Sequence, residues 1–210
     1  MVESRCDRNA ELVRALTLAF LLALPFAAAD ARADNVAVEA RRRDEALEVA
    51  CRALLEAPLE LIWQTLTDYA RLAEFIPGMR ASRVLSQKGA VTVTEQVGEA
   101  RFLFVSIPIE VTLISTERPP YAIDANLVRG NLKRMQGSYR IEPQAGGRML
   151  LSWTGLIEAE SMPPLIGEML LRSSIEDQFR GMVREIERRD ALRHDALRRE
   201  AAPRAPEDAK

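Results

Sequence analysis

Two periods govern this chain. From Val91 to Ile157 apolar residues recur at every second position, and from Leu171 to Ile186 they recur at steps of four and three. The first spacing puts one face of a pleated strand against a core; the second puts one stripe of a helix there. The alternating sets are Val91, Val93, Glu95 and Val97; Leu103, Val105, Ile107, Ile109, Val111 and Leu113; Ile123, Ala125, Leu127 and Arg129; Met135, Gly137, Tyr139 and Ile141; and Leu151, Trp153, Gly155 and Ile157. Turn signals separate most of them, at Gln87-Lys88-Gly89, Arg118-Pro119-Pro120, Gly130-Asn131 and Ala145-Gly146-Gly147. The helical stripe follows Pro163-Pro164 and consists of Leu171, Ile175, Phe179, Met182, Val183 and Ile186.

Upstream, strand signals run from Ala46 to about Ala57. Pro58 suits the first turn of a helix, and Leu59, Ile62, Trp63 and Leu66 follow at helical spacing. Asp68 is placed to cap a second short helix, Ala70 to Phe75, which Pro77-Gly78 ends. The order is therefore strand, two short helices, about six strands and one long helix. A single helical stripe has to be buried on the apolar face of an antiparallel sheet. Strands of this length twist and curl, and a curled sheet that does not close on its helix everywhere leaves a gap fit for a ligand.

The N-terminus reads as a leader. Residues 15–29 are apolar and run into Ala31-Arg32-Ala33, the order of a secretory signal peptide with cleavage after Ala33. The run is about half of what a bilayer span needs before Asp30 interrupts it. Residues 1–12 carry Glu3, Asp7 and Glu11 against Arg5 and Arg8, whereas a start at Val13 opens with Arg14. The expected organisation is a signal peptide over 1–33, a flexible lead-in over 34–44, one domain over 45–189, and a charged helix extension with a disordered tail over 190–210. The expected location is outside the cytoplasm, in the periplasm.

Composition excludes several classes. Formal net charge is −2, so the basic surplus that nucleic-acid binding needs is absent. Cys6 leaves with the leader and Cys51 stays alone, which rules out an intramolecular disulfide in the mature chain and makes Cys51 a buried structural thiol. The one histidine, His194, lies in a charged C-terminal segment without metal-ligand spacing around it. Glycine-rich phosphate loops and Ser-His or Cys-His pairs are missing. No metal and no cofactor are expected.

Polar residues in phase with apolar faces are the site candidates, because a buried charge needs a partner. Glu95 lies in phase with Val93 and Val97, and Arg129 with Ile123 and Leu127. Tyr139 and Trp153 carry polar tips on apolar bodies, and Met169, Phe179 and Met182 belong to the last helix. The expected ligand-binding set is Glu95, Val105, Ile107, Arg129, Met135, Tyr139, Trp153, Met169, Phe179 and Met182, with Glu95 and Tyr139 the only candidates for acid–base work. Arg101, Lys133 and Arg134 read as solvated charges, as do the clusters Arg41-Arg42-Arg43 and Arg198-Arg199, which leave room for a peripheral membrane contact.

Three local patterns carry a resemblance to a known family. They are Ala57-Pro58-Leu59-Glu60-Leu61-Ile62-Trp63 with Thr67-Asp68-Tyr69 and Glu74-Phe75-Ile76-Pro77-Gly78; Leu132-Lys133-Arg134-Met135-Gln136-Gly137-Ser138-Tyr139 with the strand around Trp153; and Ser173-Ser174-Ile175-Glu176-Asp177-Gln178-Phe179. In this order they resemble the START-like superfamily, which includes polyketide cyclases and dehydrases, lipid-transfer domains and coenzyme Q-binding proteins. The resemblance covers roughly 45–189. It implies an α+β helix-grip fold: a curved antiparallel sheet of about seven strands wrapped on the long C-terminal helix. It also implies a binder or carrier of an apolar small molecule, such as a lipid, an isoprenoid or a quinone-like compound, which the leader makes an exported one. A cyclase or dehydrase using the same cavity, and an interaction module without a cavity ligand, are the alternatives. Oligomeric state is not legible.

Overall fold

A computed structural model describes residues 36–159 and 164–201. The expected signal peptide, Pro163 and the tail from 202 lie outside the described residues. The chain forms eight strands: β1 (Val36–Arg43), β2 (Ala46–Leu55), β3 (Met79–Lys88), β4 (Val91–Phe102), β5 (Val105–Arg118), β6 (Ala122–Gly130), β7 (Leu132–Pro143) and β8 (Met149–Ala159). Helices α1 (Leu59–Leu66) and α2 (Leu72–Phe75) follow β2, with a 3-10 turn at Tyr69–Arg71 between them. Helix α3 (Pro164–Ala201) closes the described chain. All strands belong to one antiparallel sheet in the order β1-β2-β8-β7-β6-β5-β4-β3, curved and open, with α3 across its inner face. This is the helix-grip fold.

One expectation is corrected at the start. Residues 36–43 are not a flexible lead-in but an edge strand, with Val38 opposite Cys51 and Arg41 opposite Glu48. Val36, Val38 and Ala40 are half-buried and alternate with exposed neighbours. The arginine run hides this short alternation. Its charges are met across the strand pair, Arg41 Nε lying 2.6 Å and Arg43 Nη1 2.8 Å from the Glu48 carboxylate.

The α3 stripe is buried throughout, from Leu171 to Ile186. Past Arg189 the helix continues to Ala201 with exposed side chains, including Leu192 and Leu197. Along its packed half α3 approaches β1 and β2 at one flank of the sheet, β4 near the other, and α1 and α2 above. Cys51, in the middle of β2, is 0% exposed, and burial pushes its thiol up to about 12. That thiol is protonated at neutral pH, as a structural cysteine is.

Two contacts fix α3 against the short helices. Gly181 lies so close to the Phe75–Pro77 segment that a Cβ there would stand 2.8 Å from the Phe75 carbonyl oxygen and 2.4 Å from Pro77 Cδ. Four residues on, Glu185 anchors an ionic group: Arg188 Nε donates to it at 2.6 Å and Arg189 Nε at 2.7 Å. The same Arg189 reaches Asp68 with Nη2 at 2.8 Å and lies over the Phe75 ring at 5.4 Å. Asp68 therefore does not cap the second helix. It makes no side-chain cap hydrogen bond, and its carboxylate is drawn to Arg189 instead.

Gly181→Ala tests the first contact by its sign. Alanine favours a helix over glycine by about 1 kcal/mol, while overpacking against backbone costs roughly 1–3 kcal/mol. Denaturant unfolding is expected to show a net loss of stability, and a gain would mean that the approach is loose. The second contact sets an acid limit. The Arg188 hydrogen bond, followed by that from Arg189, outweighs burial and holds Glu185 down to about 2, from 4.5. A lowered carboxylate stabilises the fold above its unfolded pKa, and that stability is lost as pH falls through the folded value. The melting temperature is expected to drop between about pH 4.5 and 2, and less steeply in Glu185→Gln; equal slopes would remove Glu185 from this account.

Candidate functional site

The helix meets the sheet mainly at its flanks, and the middle strands stand away from it. A cavity of about 190 Å3 occupies the gap. Strand β5 supplies Ile109, Val111 and Leu113 to its wall, and α3 supplies Leu171, Ile175, Phe179 and Met182. Leu66, Tyr69, Leu72 and Ile76, from the segment containing α1 and α2, complete one side. A broader concavity of about 850 Å3 on the other sheet face is polar, bounded by groups such as Glu48, Asp124 and Ser138. Arg118, Arg140 and Ser138 already occupy the Asp124 carboxylate. The inner cavity is the smaller of the two, but it is the one with apolar walls, and it is the candidate site.

The aromatic wall is built from the strand register. Trp153 on β8 lies opposite Tyr139 on β7 and Cys51 on β2, so all three share the inner face. The Tyr139 and Trp153 ring centroids are 6.5 Å apart and tilted by 56°. The indole lies flat because its neighbours lack side chains. A Cβ on Gly155 would stand 2.2 Å from Trp153 Cη2, and one on Gly137 would stand 3.1 Å from Nε1. Glycines at 137 and 155 thus seat the ring in the wall and keep it out of the open volume. Tyr139 is half-buried in this wall, and burial raises its hydroxyl above the ordinary tyrosine range. It stays protonated at neutral pH.

Polar groups around the cavity are mostly engaged. Tyr69 Oη donates to Glu117 at 3.1 Å, and Thr92 Oγ1 donates to the same oxygen at 3.0 Å. Gln178 Nε2 donates to Ser174 Oγ at 3.2 Å. Glu99 is the one charged residue among the described wall residues, and the β4–β5 register turns its carboxylate, like that of Glu95, to the other sheet face. Ser106 Oγ donates to it at 2.7 Å, Arg80 at 3.0 Å, and Arg101 also binds it. The Ser106 hydrogen bond and then Arg101 draw its carboxyl down to about 2. Arg101, expected to be a solvated charge, is exposed and pairs with Glu99.

The expected site residues divide. Met135, Tyr139, Trp153, Phe179 and Met182 lie in the cavity wall. Glu95 does not: its carboxylate pairs with Arg83 at 2.9 Å on the opposite sheet face. Arg129 is exposed and donates through Nε to Thr112 Oγ1 at 3.1 Å, where the β5–β6 register shifts. Ile107 packs against the core beside the cavity, and Met169 is 51% exposed. The Val105 side chain lies outside the described residues.

The error at Glu95 has a geometric cause. A two-residue turn at Leu103–Phe104 pairs every odd-numbered residue of β5 with an even-numbered residue of β4. If Ile109, Val111 and Leu113 face inward, so do Gly98, Gln96 and Thr94, and the valines of β4 lie on the other face. Gln96, Gly98 and Ala100, missed as wall residues, follow from the same register. Among the described residues no group of three or more His, Cys, Asp or Glu could hold a metal.

Comparison with known proteins adds the following. Residues 55–185 match the profile of a family described as polyketide cyclase / dehydrase and lipid transport. A STAR-related lipid transfer protein from Xanthomonas axonopodis is 12% identical with a TM-score of 0.61, over 73% of this chain and 94% of that one. The Zhui aromatase/cyclase from Streptomyces sp. R1128 is 17% identical with a TM-score of 0.58, over 69% of this chain and 95% of that one. A protein from Thermus thermophilus is 16% identical with a TM-score of 0.58, over 66% of this chain and 96% of that one. At such identities the likeness is one of fold. No curated protein matches the chain.

Proposed function

We propose that this chain, which belongs to the polyketide cyclase / dehydrase and lipid transport family, binds or carries an apolar small molecule between its sheet and α3, outside the cytoplasm. A lipid, an isoprenoid or a quinone-like compound suits the walls. The observation that carries this reading is the cavity itself. A gap of about 190 Å3 lined by apolar side chains forfeits packing contacts that a filled core makes. A ligand of matching shape recovers that loss by removing apolar area from water. The leader sequence supports export.

The position of the cavity also supports loading at a lipid surface. Its wall runs along Gly98 and Ala100 of β4 and Ile109 of β5 towards the hairpin tip. There Leu103 and Phe104 are 82% and 93% exposed. Apolar side chains so exposed beside an apolar cavity suit a contact with a bilayer, through which cargo can pass without crossing water.

A cyclase or dehydrase in the same cavity needs a positioned acid or base. Glu99 is held anionic by Ser106 and Arg101, and Tyr139 is held protonated by burial. Neither is poised for proton transfer near neutral pH, which favours binding over turnover. A module without a cavity ligand leaves the void and its cost unexplained.

Native mass spectrometry of the protein from its host, with solvent extraction, is the test. A co-purifying apolar molecule near one-to-one stoichiometry is expected, on a chain beginning at Asp34. Val111→Phe, which fills the cavity, is expected to weaken binding of the neutral dye Nile red by ~10-fold or more. Unchanged dye binding with no extractable molecule would count against a cavity ligand.

A further inference from the structure

The cavity wall offers hydrogen-bond donors that the protein does not use. Trp153 Nε1 sits above Gly137 on β7, and Tyr139 stands two residues farther along that strand on the same face. Among the described residues neither the indole N–H nor the tyrosine hydroxyl has a hydrogen-bond partner. Nor is either sealed from water-sized space: among the described residues the one closed-off polar side-chain atom without a partner is Thr94 Oγ1, outside the wall. Indole N–H is a donor only, and the hydroxyl is free to donate. Some of the other polar wall groups are already engaged. Tyr69 is committed to Glu117, and Gln178 to Ser174. Gln96, on the β4 flank, adds an uncharged amide.

The charge of the wall narrows the ligand further. Among the described residues no lysine, arginine or histidine lines the cavity, and Glu99 is already bound by Arg80, Arg101 and Ser106. A carboxylate or phosphate drawn inside would find no cation, and burying an ion unpaired is prohibitive. An uncharged oxygen meets no such barrier. It also satisfies the two donors, which an apolar chain filling the space would leave without a partner.

We propose that the buried end of the ligand is a neutral hydrogen-bond acceptor, such as a ketone, quinone or ester oxygen, received by the Tyr139 hydroxyl and the Trp153 indole N–H. This assigns a substrate class and rests on the cavity reading above. Anionic amphiphiles enter, if at all, with the charged end left at the surface. Tyr139 and Trp153 set specificity and take no part in bond making.

Three ten-carbon probes test this against Nile red on the whole mature protein at pH 7.5: decane, decan-2-one and decanoate. Decan-2-one is expected to compete at least ~10-fold better than decane, and decanoate worse than either. Tyr139→Phe is expected to cost decan-2-one about 5-fold and to leave decane unchanged, which also shows that the variant folds. In a Trp63→Phe background, decan-2-one is expected to shift Trp153 emission and decane is not. Equal binding of decanoate and decan-2-one, or a Tyr139→Phe protein that keeps the ketone preference without a Trp153 shift, would overturn the neutral-head assignment and leave the cavity reading standing. Failure of Nile red and all three probes to bind would instead remove the cavity reading, and this inference with it.

Discussion

Everything in this structure depends on burying one helical stripe against a sheet too curved to meet it. The α3 stripe from Leu171 to Ile186 has to leave water. The sheet offers its flanks, β1 and β2 on one side and β4 on the other, while the middle strands bow away. Closer packing at the flanks than in the middle makes a cavity, and no separate element is needed to form one. The Gly181 approach to Phe75–Pro77 and the Arg189 link to Asp68 hold α3 and the short helices in register. The side of the cavity bounded by Tyr69 and Leu72 is therefore tied to the same helix that bounds the other.

Holding such a space open needs side chains that do not fall into it. Trp153 shows how this is done. The largest side chain in the sheet wall lies flat because Gly137 and Gly155 leave it a seat. Methyl groups at either position would press on the ring and move it towards α3. The same placement leaves the indole N–H facing usable space. An element that preserves volume and an element that offers a hydrogen bond are thus one residue, supported by two glycines that do neither.

Much of this was legible in the sequence. The inner faces of β2, β7 and β8 and the stripe of α3 follow from periodicity alone, and that periodicity is enough to place Met135, Tyr139, Trp153, Phe179 and Met182 on the cavity side. What was not legible has particular causes. The β4–β5 turn is Leu103–Phe104, with no glycine, proline or asparagine to mark it. Without that turn the parity of β4 is undetermined, and its three outward valines invite the wrong face. Strand β1 was hidden because its alternation is three residues long and abuts three arginines. Asp68 has the chemistry of a cap, but a partner 121 residues away competes for it, and local pattern cannot see that competition.

Xenon tests the central claim most directly. A dry apolar cavity takes up xenon, whereas a collapsed or hydrated one does not. Crystals of the mature protein under xenon pressure are expected to show electron-dense sites bounded by Val111, Trp153 and Phe179. A crystal structure without such sites, with α3 packed onto the middle strands or ordered waters filling the gap, would contradict the claim that the curved sheet and its helix enclose a space for an apolar ligand.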